Sequence, residues 1–112
     1  MKRILVLAAA VTALFANAQG FPGTKPISFV VPFAAGGPTD RVARDLAEAM
    51  RKTLPGGNFV VENVNGAGGT IGATKVAKAA PDGHTLLLWH IGMASTAGLY
   101  RKLQYKPLED FE

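Results

Sequence analysis

The sequence predicts an α/β fold: an open parallel sheet assembled from βαβ units. Three observations predict it. Short β-branched and aromatic runs recur at residues 27–31, 59–64 and 85–89. Each run is followed by a loop rich in Gly, Ala, Ser or Thr, and each loop leads into a stretch with helical spacing of apolar and small residues. Such an alternation, repeating about every 30 residues, builds parallel strands joined by right-handed crossover helices.

The first strand, Ile27-Ser28-Phe29-Val30-Val31, is bounded by Pro26 and Pro32. After the loop 32–38, Thr39 or Asp40 is expected to cap a helix that ends near Leu54-Pro55-Gly56-Gly57. Its inner face should carry Val42, Leu46 and Met50 at spacing four, with Ala43 and Ala47 beside them. Arg41, Arg44, Asp45, Glu48, Arg51 and Lys52 form the solvated face. The second strand, 59–64, passes through Asn65-Gly66-Ala67-Gly68-Gly69 into a helix over 70–80, where Ile71, Val76 and the alanines pack. Pro81-Asp82-Gly83-His84 is a tight turn. The third strand, 85–89, is the most apolar and leads into a helix over 94–103 and an irregular closing segment, 105–112.

The opening residues predict export. Lys2 and Arg3 precede an apolar run from Ile4 to Ala16, and Ala16-Asn17-Ala18 offers the small residues of a cleavage site, so residues 1–18 read as a signal peptide. The run is shorter than the roughly 20 residues that span a bilayer. No Cys follows for lipid attachment. Residues 19–112 then carry ten basic and eight acidic residues, a formal charge of +2 against +4 for the whole sequence. The basic residues are scattered, with no stripe interleaved with aromatics, and nucleic-acid binding is not expected. Zero cysteines exclude a disulfide scaffold and Cys-based zinc sites, so stability must come from packing. No other metal-ligand spacing is present, and no metal or cofactor is expected. Gly66, Gly68 and Gly69 fall short of the dinucleotide fingerprint because Ile71 stands where its last Gly belongs, and no phosphate-binding GxxxxGK[ST] occurs.

In an open parallel sheet, ligands bind where the carboxyl ends of the strands pass into the helices. Three such loops exist here, at 32–39, 65–70 and 90–96. Each delivers a helix N-terminus, whose free N–H groups and positive dipole end favour an anion. None contains Lys or Arg, Cys or a pair of carboxylates. A neutral lining of N–H groups, the hydroxyls of Thr39, Thr70, Ser95 and Thr96, and bridging water binds reversibly, as a carrier does. His90, at the end of the third strand, is a further candidate donor, and Asp40 is either a helix cap or a ligand contact. Phe33 and Trp89 are placed to flank an apolar ligand body, whereas His84 belongs to the turn at the opposite end of the sheet.

Four motifs in order extend through residues 19–112: Val31-Pro32-Phe33-Ala34-Ala35-Gly36-Gly37-Pro38-Thr39-Asp40 with Ala43-Arg44; Val61-Glu62-Asn63 with Gly66-Ala67-Gly68-Gly69; Ala80-Pro81-Asp82-Gly83-His84-Thr85-Leu86-Leu87; and Leu99-Tyr100 with Leu103, Tyr105, Pro107 and Asp110-Phe111. They resemble the Bug family of periplasmic receptors, the substrate-binding proteins of tripartite tricarboxylate transporters. The resemblance implies a two-domain, hinged, Venus-flytrap protein of type II-like architecture that closes on a small di- or tricarboxylate-like ligand and delivers it to integral membrane transporter subunits. It also implies ligand contacts from Phe33, Ala35, Gly36, Gly37, Thr39 and Asp40, from Ala67, Gly68, Gly69 and Thr70, and from His90, Ser95 and Thr96. Val64-Asn65 replaces the family's usual Arg-Pro, and Lys106 replaces a usual Asp. Residues 19–112 are expected to form the N-terminal part of the first domain, in a truncated chain without the second. The competing expectations are an exported enzyme with catalytic groups elsewhere, or a non-functional fragment.

Overall fold

The computed structural model describes residues 20–112, so the expected signal peptide lies outside the described residues. The elements are β1 (Ile27–Val31), α1 (Pro38–Thr53), β2 (Phe59–Asn63), a 3-10 turn (Ala67–Gly69), α2 (Thr70–Ala77), β3 (Thr85–Leu87) and α3 (Gly92–Leu99). The strands form one parallel sheet in the order β2-β1-β3, as the α/β reading requires. Ile27 pairs with Phe59 and Val31 with Asn63 on one side of β1; Ser28 pairs with Thr85 and Val30 with Leu87 on the other. The chain therefore steps outward from β1 to β2, then crosses back over β1 to reach β3. With right-handed crossovers, that reversal puts α1 and α2 on opposite faces.

Central position makes β1 the best-buried strand: Ile27, Phe29, Val30 and Val31 are all buried. Ile27, Phe29, Ala47 and Phe59 form a cluster, with Met50, Leu54 and Val61 packed against it. The Phe29 and Phe59 rings stack at 5.9 Å between centroids. Small residues on α1 bring the helix close to the sheet, and this changes the expected inner face. Ala43 and Ala47 are buried, while Val42 and Leu46, one step round the helix, are 57% and 41% exposed.

Several boundaries move for identifiable reasons. Thr39 and Asp40 do not cap α1: the helix starts at Pro38 with Gly37 as its N-cap, because the fixed φ of proline suits the first helical position. α2 stops at Ala77 and α3 occupies 92–99, not 94–103. β3 pairs for only three residues and lies at the edge of the described sheet, so the most apolar run is less buried than β1. Ile71 is 51% exposed, and α2 instead packs through Gly72 and Ala73. At the opposite end from the strand-to-helix loops, His84 accounts for more than an exposed turn. Its Nδ1 lies 3.1 Å from the Pro26 carbonyl oxygen and its ring meets Phe21, while Lys25 pairs with Asp82. Together they tie residues 21–26 to the turn before β3.

Among the described residues no helix is long and apolar enough to cross a membrane, and no group of three or more His, Asp or Glu is placed to hold a metal ion. One close approach sets the seat of α2. A β-carbon on Gly72 would lie 2.8 Å from the Val64 carbonyl oxygen and 2.9 Å from Pro32 Cβ, both rigid neighbours. Gly72→Ala is therefore expected to lower unfolding stability by about 1–3 kcal/mol, read as a reduced urea midpoint at unchanged slope.

Candidate ligand-binding cleft

The reversal of strand order at β1 opens a crevice between the carboxyl ends of β1 and β3, the place where ligands enter open α/β sheets. A cleft of about 780 Å³ lies there. Phe33, Ala34, Ala35, Gly36, Gly37, Pro38 and Thr39 line it from the loop after β1, and His90 from the end of β3. No lining residue is charged. The α1 N-terminus opens here without a side-chain cap, and the N–H groups of its first turn have no intrahelical acceptor.

The loop after β1 is held by a buried carboxylate. Asp40, 3% exposed, accepts hydrogen bonds from the Gly36 N–H at 2.8 Å, Arg44 Nε at 2.9 Å and Asn63 Nδ2 at 2.9 Å. Asn63 Nδ2 also donates to the Phe33 carbonyl oxygen at 3.1 Å, and Arg44 donates to Asn63 Oδ1 at 3.3 Å. Both ends of the loop are thereby tied to β2. Gly36 makes its turn at φ +83°, a conformation that suits glycine. Arg44 first, then the Gly36 N–H and Asn63, hold the Asp40 carboxyl well below the usual carboxylate range, against the opposing effect of burial; the same contact raises Arg44. Asp40 is thus a charged strut, with both of its oxygens engaged by the loop, the helix and β2.

On the far wall, the His90 ring stacks on Phe33 at 4.8 Å and 15° between planes, and Trp89 meets both rings edge-on. The Gly92 N–H donates to His90 Nδ1 at 2.9 Å. Trp89 Nε1 is buried without a partner.

The loop after β2 is placed differently. Ala67, Gly68, Gly69 and Thr70 do not line the cleft. A β-carbon on Gly68 would meet the Tyr100 hydroxyl oxygen at 2.1 Å, and one on Gly69 would meet the Trp89 ring at 2.5 Å. These glycines let two aromatic side chains cover the loop. The Thr70 hydroxyl donates to the Ala67 carbonyl oxygen at 3.0 Å, and Ser95 donates to the Gly92 carbonyl oxygen at 2.9 Å. Thr96 is buried; its hydroxyl donates to the Met93 carbonyl oxygen at 2.8 Å and accepts from Tyr105 at 3.3 Å. Of the residues expected from sequence, the structure brings together Phe33, Ala35, Gly36, Gly37, Thr39 and His90. The partners Arg44 and Asn63 were not anticipated as site supports. The i, i+4 spacing of Asp40 and Arg44 was a signal for the first, but the approach of Asn63 depends on strand pairing.

A parallel α/β sheet with an uncharged cleft at its switch point defines a solute-binding architecture, and comparisons with known proteins agree. The chain is 58% identical to periplasmic binding protein BugD, with a TM-score of 0.74 over 79% of this chain and 29% of that one. It is 52% identical to MatC (Rpa3494) from Rhodopseudomonas palustris with bound malate, with a TM-score of 0.75 over 81% of this chain and 31% of that one. The UPF0065 protein in the TAR-I ttuE-ttuC' intergenic region of Agrobacterium vitis is 52% identical over 107 residues, covering 96% of this chain and 31% of the relative. Residues 42–112 match the tripartite tricarboxylate transporter family receptor. The chain belongs to that family of solute-binding receptors, and it spans about a third of the length of the relatives it matches.

Because the Asp40 carboxyl is held below its ordinary range, its contribution to stability is fully present above pH ~4 and is lost as pH falls through the folded-state value. Asp40→Asn is expected to lower the melting temperature by several degrees at pH 7. Melts repeated at decreasing pH below 4 should show the two proteins converging.

Proposed function

We propose that this protein is a periplasmic solute receptor that captures a small carboxylate for a tripartite transporter. The observation that carries this reading is the uncapped α1 N-terminus opening into an uncharged cleft. N–H donors and the helix dipole attract an anion there, while the absence of a fixed cation leaves the ligand free to dissociate. Family membership and the malate bound to a relative that is 52% identical support the same ligand class. In this reading the cleft is one wall of the site. Residues 19–112 form the first part of one domain, and a second domain closes the opposite side after a signal peptide at 1–18 has directed export. Delivery then requires integral membrane subunits of the transporter.

Thr39 supplies the hydroxyl among the lining side chains, beside the first turn of α1. Isothermal titration of the full-length protein with mono-, di- and tricarboxylates is expected to show binding of at least one di- or tricarboxylate, recovered chemically unchanged. Thr39→Val should weaken that binding about tenfold, the worth of one hydrogen bond to a charged group. Absence of binding across the panel would reject the assignment, as would turnover of the bound ligand.

A further inference from the structure

The geometry points to His90 as a specificity-determining residue that favours carboxylates carrying a second oxygen acceptor, such as a hydroxyl, beside the anchored carboxylate. The inference rests on the carboxylate reading above. Its basis is the fixed state of the imidazole. Nδ1 accepts the Gly92 N–H at 2.9 Å, so that nitrogen carries a lone pair, and the proton of the neutral ring resides on Nε2. Phe33 stacks on one face of the ring and fixes its plane. Gly92 is what permits this clasp: a β-carbon there would lie 2.6 Å from His90 Cε1 and 3.0 Å from Nδ1. The ring is exposed, and the stack and the clasp together fix its position.

Chemistry follows from what surrounds it. Phe33, Ala34, Ala35 and Pro38 give the cleft an apolar lining, and among its side chains only Thr39 and His90 carry a polar hydrogen. His90 Nε2–H is therefore the single side-chain N–H donor among the lining residues. A ligand anchored by its carboxylate at that N-terminus, with only methylene groups beyond, leaves this donor unmatched once water is excluded. One bearing a hydroxyl satisfies it. A site that places a donor for a substrate oxygen discriminates against the analogue lacking that oxygen, because the unpaired donor is penalised.

Malate and succinate differ by one hydroxyl and serve as probes. Titration of the full-length protein is expected to give a malate preference of about tenfold over succinate. His90→Phe keeps a ring against Phe33 but removes both nitrogens, and should bring the ratio near one. Gly92→Ala retains the imidazole but displaces it, and should reduce the ratio in the same direction. Circular dichroism checks that both variants are folded. Nitrogen-15 spectra of the unaltered protein near pH 8 should show the Nε2–H tautomer of His90. A ratio near one in the unaltered protein, a ratio that persists in both variants, or a dominant Nδ1–H tautomer would overturn the inference. If the unaltered protein binds no carboxylate, the receptor reading fails, and this inference fails with it.

Discussion

The cleft depends on one buried carboxylate. Asp40 gathers an N–H from the loop after β1, a guanidinium from its own helix and an amide from the end of β2. Without it, the loop 33–39 would have Gly36 and Gly37 at its centre and little to hold them, since the backbone freedom that lets Gly36 reach φ +83° also lets the unconstrained chain wander. The carboxylate also sets the electrostatics. A negative charge in the first turn of α1 favours the helix dipole, yet Arg44 balances it at 2.9 Å. The mouth of the cleft therefore has no net fixed charge from this pair.

In the proposed reading, this division of labour is what lets a neutral cleft attract an anion and still release it. Donors supplied by backbone are positioned by the fold and do not reorganise on binding, whereas a lysine or arginine in the same place would hold a carboxylate more tightly. The apolar wall of Phe33, Ala34 and Ala35 suits the carbon skeleton between polar ends. Val42 and Leu46 on α1, with Val60 on β2, leave apolar surface exposed among the described residues.

Much of the architecture was legible in the sequence because its signals are local. A proline-bounded β-branched run marked β1, apolar runs marked β2 and β3, and glycine-rich segments marked the loops. The first loop's role followed from its position after β1. What was not legible depended on packing across distance. Alanine at 43 and 47 draws α1 so close that Val42 and Leu46 fall outside the buried strip, although spacing alone favours the larger side chains. Gly68 and Gly69 look like ligand-approach residues in sequence, but Tyr100 and Trp89, twenty or more residues later, occupy the space they leave. Asp40 reads as a cap because it sits in the first turn. Only the arrival of Asn63 through the parallel pairing of β1 and β2 turns it into a strut.

Trp89 is the one tryptophan in the sequence. It stands against Phe33, His90 and Gly69, where the wall of the cleft meets the covered loop after β2. Its indole emission therefore arises from a single place, and rearrangement of the Phe33–His90 stack alters the quenching and polarity it experiences. The protein contains its own fluorophore, positioned to report occupancy of the cleft without any attached label.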